Sequence, residues 1–224
     1  MISNNIIQSK NTDYYSIPET VEHYSSYELR SDERWIVEHR FRGRNVLVVG
    51  CGAGRTVLPL LEKGYFVTGI DISGPMIEKA RNTVVNPRVI FMKCDATSMN
   101  FNQEFDTVFF PFHSIDYMER RKDALEQARK ALKLGGVLIY NTHNRFFFKY
   151  FFRYIASRFK PYVKEIVPYG YVWSYYANPY KEVGERIWRN SIQSKLPSWK
   201  KTLSSLCLPL FNKSCYIIWM NREV

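Results

Sequence analysis

Glycines at Gly50, Gly52 and Gly54 follow the apolar run Val46–Val49, and a carboxylate, Asp71, stands 21 positions after the first of them. Backbone approaches a ligand closely only where no Cβ intervenes. Gly50 and Gly52 therefore suit a turn pressed against a cofactor, and Gly54 suits close helix-to-strand packing. A carboxylate ending the next strand can accept both hydroxyl hydrogens of a ribose. Strand, glycine turn, helix, second strand and terminal acid together build a site for the adenosine half of a ligand. The third glycine comes one residue too early for the GxGxxG fingerprint that seats a pyrophosphate, and no GKS or GKT sequence is present. Dinucleotides and nucleoside triphosphates are disfavoured on those grounds.

The elements that must position these residues are legible as alternating strand and helix patterns. Residues 45–49 and 65–70 are β-branched or apolar runs that read as buried strands. Residues 55–62 read as the helix between them, with Pro59 shifting or kinking its first turn. Ser73 caps a helix running to Thr83, with Pro75 tolerated near its start. Residues 89–93 and 106–110 make strands three and four, and residues 121–134 a charged-faced helix stopped by Gly135 and Gly136. Strand five follows over 137–141. A helix over 28–40 and an irregular or partly helical lead-in over 1–30 precede the first strand. Residues 203–210 and 215–220 read as a closing hairpin turning at Asn212 and Lys213, the last strand antiparallel to the rest. This alternation predicts an α/β domain with a largely parallel sheet.

The chain's 224 residues allow one substantial core. The lead-in is polar and a poor signal peptide, and no run approaches the roughly 20 apolar residues of a membrane span; a cytoplasmic protein is expected. Cys51, Cys94, Cys207 and Cys215 lack the close pairing of a metal site, and only four histidines occur, so no metal is expected. Residues 1–144 carry 18 Lys plus Arg against 17 Asp plus Glu, whereas residues 145–224 carry 14 against 4. That asymmetry suits an acidic substrate, a phosphate-bearing carrier, nucleic acid or an anionic membrane surface.

On these residues the chain resembles the class I S-adenosylmethionine-dependent methyltransferases. Val46 to Gly54 resembles that family's first motif, Asp71 its ribose-binding acid, and Ile72 the residue beside adenine. Lys93–Cys94–Asp95–Ala96 is similar to the segment where an acid meets the adenine amine. Phe105 to His113 resembles the fourth motif, and Leu132 to Gly136 the turn before strand five. The resemblance implies a seven-stranded, mostly parallel Rossmann-like sheet with the last strand antiparallel and helices on both faces, and the aromatic and basic density of residues 145–201 reads as a lid insertion between strands five and six. It implies S-adenosyl-L-methionine as cofactor, held by Gly50, Cys51, Gly52, Gly54, Asp71, Ile72, Met76, Asp95, Ala96 and Phe110. It also implies that Tyr14, Tyr15, Tyr24 or Tyr27 covers the cofactor. The corresponding domain plan is a cover over 1–40, a cofactor-binding core over 41–144, a substrate-binding lid over 145–201 and a closing hairpin over 202–224.

The reaction centre that the resemblance implies is edged by Pro111 to Ser114 after strand four and by Asn141 to His143 after strand five. His113 is the leading candidate for a general base and His143 the second, because neutral imidazole accepts a proton near physiological pH. Asp116 and Tyr117 are candidates to orient an acceptor, and Asp116 equally suits a helix cap. Phe110–Pro111–Phe112–His113 departs from the Asn/Asp, two prolines and an aromatic of base-amine methyltransferases. In residues 145–201, Phe147, Phe151, Tyr154 and Ile155 recur at helical spacing, and Tyr169, Tyr171, Trp173 and Tyr175 alternate as in a strand. The expectation is methyl transfer to an oxygen or nitrogen atom of a small molecule, aromatic or acidic in character, with no obligate protein partner. An RNA methyltransferase and a noncatalytic cofactor-binding scaffold are the alternatives, and peripheral membrane contact stays open.

Overall fold

A computed structural model describes residues 6–144, 162–167, 169–177, 183–188 and 214–221. Three helices lead in: α1 (Ile6–Tyr14), α2 (Pro18–His23) and α3 (Ser31–Arg40). The α/β alternation follows as β1 (Asn45–Val49), α4 (Val57–Glu62), β2 (Phe66–Asp71), α5 (Gly74–Thr83) and β3 (Val89–Lys93). It continues as β4 (Phe105–Phe110), a 3-10 turn (Ser114–Tyr117), α6 (Arg121–Ala131) and β5 (Leu132–Asn144). Among the described residues β6 (Tyr162–Val167), β7 (Gly170–Ala177), β8 (Glu185–Trp188) and β9 (Ser214–Met220) complete the sheet.

The five central strands lie in the order β3-β2-β1-β4-β5, all parallel. β9 runs antiparallel along β5 from Val137↔Met220 to His143↔Ser214. The expected mostly parallel sheet with its last strand reversed is thus present. It is larger than expected: β8 pairs antiparallel with β9, and β6 and β7 form a hairpin that meets β5 at His143↔Tyr176 and Asn144↔Ala177. β8 falls inside the stretch read as lid, and the alternating aromatics Tyr169 to Tyr175 fall on and beside β7. The proposed strand over 203–210 and the aromatic helix built on Phe147, Phe151, Tyr154 and Ile155 lie outside the described residues.

Two apolar layers enclose the sheet because successive strand residues face opposite sides. Leu47 and Val49 of β1 join Phe110, Leu138 and the alanines of α6 on one side. Val46 and Val48 join Leu60, Ile77 and Phe91 on the other. α5 begins as its residues dictate, with Ser73 Oγ accepting the Met76 N–H at 3.3 Å and Pro75 in the first turn. The helix read over 121–134 is shorter. α6 stops at Ala131, and Leu132 already pairs with Phe105 in β5 before a bulge restores register at Thr107↔Val137. Gly135 and Gly136 therefore serve strand pairing instead of a helix stop: Gly135 N–H donates to Asn221 O, and Gly136 O accepts from Asn221 N–H.

Candidate functional site

The turn after β1 is tied down by Ile70, whose carbonyl accepts the N–H groups of Gly50 and Cys51 at 2.8 and 3.0 Å. Its three glycines serve different ends. A Cβ on Gly50 would stand 2.5 Å from Ser114 Cβ, so the pressure there comes from the 3-10 turn behind it and not from a ligand. A Cβ on Gly52 would meet only Met76 Sδ at 3.8 Å, which leaves that side open. Gly54 packs toward Val84, Phe91 and Ala80, as expected of a helix-to-strand contact. Asp71 closes the turn: Oδ2 accepts the Gly52 N–H at 2.8 Å and Oδ1 the Ser73 N–H at 2.9 Å. Burial raises its pKa, and the donated backbone N–H groups of Ser73, Gly52 and Ile72 offset part of that rise.

A cavity opens at the C-terminal ends of β1, β2 and β4. Of the residues expected to hold a cofactor, Gly50, Cys51, Gly52 and Asp71 line it, as do Ile72, Met76, Asp95 and Ala96. Gly54 and Phe110 do not; Phe110 is fully buried in the layer beneath α6. Tyr15 and Tyr24 line the cavity, whereas Tyr14 is buried and Tyr27 packs on the core beside α4.

α1 lies over this cavity, a placement no motif announces. Gln8 Nε2 donates to Asp95 Oδ2 at 2.8 Å, while Asp95 Oδ1 accepts the Thr97 N–H at 2.8 Å. Asn11 Nδ2 donates to Tyr117 O at 2.8 Å, and Ser73 Oγ donates to Tyr15 O at 2.9 Å. Gln8, Asn11 and Thr12 line the cavity, and Arg55 does so from the glycine turn. Their polar character was the only sequence signal.

After β4 the chain passes through two successive left-handed residues, Phe112 at φ 49° and His113 at φ 61°. Such backbone costs energy in residues with a Cβ and concentrates at functional sites. The turn sends the two side chains apart. Phe112 lines the cavity, with the guanidinium groups of Arg30 and Arg55 each 5.1 Å from its ring centroid. His113 turns inward instead and stacks on His143 with centroids 3.9 Å apart and planes 9° from parallel.

Neither histidine lines the cavity, and both are buried. Asp116 sits between them and β5: Oδ2 is 3.0 Å from His143 Nδ1 and 3.6 Å from His113 Nδ1, and it also accepts the His143 N–H at 2.7 Å. Oδ1 accepts from Thr142 Oγ1 at 2.7 Å and lies 3.8 Å from Arg121 Nε. Asp116 is thus a buried hub, not the cap of a helix. Burial, then the neighbouring His143 ring, push His113 down to about 3, so it is neutral and weakly basic at physiological pH. Burial alone would raise the Asp116 carboxyl, but the two imidazoles and the Arg121 guanidinium outweigh it and hold that group well below the usual carboxylate range.

An adenosyl ligand fits this cavity: each Asp71 oxygen accepts one N–H and retains capacity for another donor. Residues 46–136 match the model of a family described as a methyltransferase domain. Residues 46–136 carry this methyltransferase domain, in keeping with the resemblance to the class I S-adenosylmethionine-dependent methyltransferases. Its cofactor is accordingly S-adenosylmethionine. The chain is 30% identical over 118 residues to the provisionally named methyltransferase YqeM of Bacillus subtilis (strain 168), covering 50% of this chain and 48% of that one. It is 32% identical over 107 residues to a ubiquinone biosynthesis O-methyltransferase of Idiomarina loihiensis, covering 46% of this chain and 44% of that one. The chain thus spans about half the length of the curated relatives it matches. The CcbJ methyltransferase of Streptomyces caelestis shares the fold at a TM-score of 0.61 and 16% identity, over 87% of this chain and 94% of that one. Among the described residues no helix is long and apolar enough to cross a membrane.

Proposed function

We propose that this methyltransferase moves the sulfonium methyl of S-adenosylmethionine to an oxygen or nitrogen atom of a small molecule. The observation that carries the reading is Asp71. It ends β2 at the rim of the cavity with acceptor capacity to spare, opposite the open face of Gly52. In this reading Asp71 takes the ribose hydroxyls, and Gly50, Cys51 and Gly52 form the wall beside the ribose and amino-acid portion. Ile72 and Met76 pack near adenine, with Asp95 and Ala96 at its polar edge. Gly54 and Phe110 act from behind, by seating α5 and α6 against the sheet.

The sulfonium already activates the methyl group, so the protein's task is alignment and exclusion of water. The acceptor atom forms a bond to the methyl carbon while the carbon–sulfur bond breaks, its electron pair staying on the sulfur of S-adenosylhomocysteine, and the acceptor's proton passes to solvent. His113 and His143, buried behind the cavity at the ends of β4 and β5, are assigned a positioning role for the turn that edges the acceptor side, with Asp116 between them and β5. Two relatives lend support in kind: one is named for O-methylation in ubiquinone biosynthesis, and the other simply as a methyltransferase.

The test is incubation with methyl-labelled S-adenosylmethionine and fractionated cell extract, followed by identification of the labelled product. Label in low-molecular-weight material supports the reading. Label confined to RNA would replace it with the RNA methyltransferase alternative. Cofactor binding with no label in any fraction would favour a noncatalytic scaffold.

A further inference from the structure

Two carboxylates, Asp71 and Asp95, line the cavity, and they are held in different ways. Asp71 is held from its own turn, by the backbone N–H groups of Gly52 and Ser73. Asp95 has one local bond, from the Thr97 N–H to Oδ1 at 2.8 Å. Its other oxygen is held from 87 positions away, by Gln8 Nε2 on α1 at 2.8 Å.

A carboxylate only accepts, so the Gln8 amide turns its NH2 toward Oδ2 and its carbonyl elsewhere. Docking of the helix does not call for this contact. α1 packs on β7, and it is tied by Gln8 N–H to Glu119 Oε2 at 3.2 Å, by Asn11 Nδ2 to Tyr117 O and by Ser73 Oγ to Tyr15 O. Gln8 itself lines the cavity, so the space beside the carboxylate stays open with the bond in place. Each Asp95 oxygen accepts one bond and retains capacity for a second donor.

We propose that Gln8 is a positioning residue that makes this end of the cavity selective for a 6-amino over a 6-oxo purine. The inference rests on the methyl-transfer reading, in which adenine meets Asp95. Held by Thr97 alone, the carboxylate can tilt about a single bond. Gln8 fixes the second oxygen and with it the plane, so that acceptor capacity, and no donor, faces the ring edge. An adenine amino group is paired there. The oxygen of a 6-oxo purine stands against a fixed carboxylate, with neither group having a proton to give. Sites that leave polar groups unpaired in this way reject the analogue. A carboxylate free to turn can instead meet the N1–H of the 6-oxo ring. Selectivity is therefore what the Gln8 bond adds.

The test is calorimetry on the full chain with S-adenosylhomocysteine and with S-inosylhomocysteine, its 6-oxo counterpart. Wild-type protein should prefer the adenosyl compound. Gln8→Ala should weaken adenosyl binding about tenfold and leave inosyl binding nearly unchanged, so that the preference shrinks by the same factor. Alanine favours a helix, and the exposed α1 variant Lys10→Ala should leave both affinities as they are. Gln8→Glu sets a second carboxylate against Asp95, and like charges raise one pKa of such a pair. Its adenosyl binding should be weak near about pH 8 and recover toward about pH 5, where the pair holds one proton. The wild-type profile should lack that recovery.

Equal loss of both compounds in Gln8→Ala would assign the residue to structure alone. Adenosyl binding in Gln8→Ala as tight as in wild type, or tighter, would make the amide a mere occupant of the adenine position. Either result overturns the proposal, as do parallel pH profiles for wild type and Gln8→Glu or equal wild-type affinity for the two compounds. All of these leave methyl transfer standing. Wild-type protein that binds neither compound sinks that reading, and the proposal with it.

Discussion

At Gly50 and Gly52 the backbone is left-handed, at φ +72° and +55°, yet an added methyl would meet different neighbours. Alanine at either position carries about 1 kcal/mol of conformational strain. At Gly50 the methyl also overlaps Ser114, so Gly50→Ala should lower the denaturation midpoint clearly. Gly52→Ala faces the cavity, and its main effect should be on S-adenosylmethionine affinity by calorimetry. Equal loss of stability in both variants would count against Gly52 as part of the ligand wall. Asp71→Ala removes a charged acceptor from both the turn and the ribose position. Hydrogen bonds to charged groups are worth about 1.5–3 kcal/mol, so affinity should fall by roughly tenfold to a hundredfold. An unchanged dissociation constant would remove Asp71 from the site.

Among the elements, α1 packs against β7 and is also held by polar bonds across the cavity. Ser73 holds it from below: the hydroxyl donates to Tyr15 O while capping α5 through Met76. Ser73→Ala should therefore cost about 1 kcal/mol from the lost cap. It should also speed amide exchange over residues 6–17 relative to β1. Exchange that rises only in α5 would show that α1 is held by other means. The turn after β4 behaves oppositely, because its left-handed pair Phe112–His113 is fixed by what each side chain reaches, one in the cavity and one beside Asp116.

Across the whole molecule, stability should track the two layers beside β1 and not β3, the edge strand among the described residues. Leu47 is fully buried in the centre of the sheet, so Leu47→Ala should cost about 2–5 kcal/mol in a denaturant melt. Ile90 lies on the edge strand and is 62% exposed, so Ile90→Thr should stay within about 0.5 kcal/mol. A large loss at Ile90 would mean that this face is covered in solution.

Much of the sheet is legible in the sequence. Residues 45–49 and 89–93 form strands at the bounds their β-branched runs indicate, and Ser73 with Pro75 starts α5 as capping rules require. The end of α6 was not readable. Leu132–Lys133–Leu134 suits a helix locally, but Leu132 is claimed by pairing with Phe105, and tertiary contact overrides propensity.

The glycine turn and Asp71 were determined by sequence alone because strand, turn and helix lengths act over some 20 residues, within which local geometry leaves little choice. The part that Gln8 and Asn11 play over the cavity and the His113–Asp116–His143 cluster were decided only by tertiary structure. Gln8 and Asp95 stand 87 positions apart, Asn11 and Tyr117 106, and Asp116 and the His143 N–H 27. Contacts at such separations are set by how the sheet stacks its strands, a property no local spacing encodes.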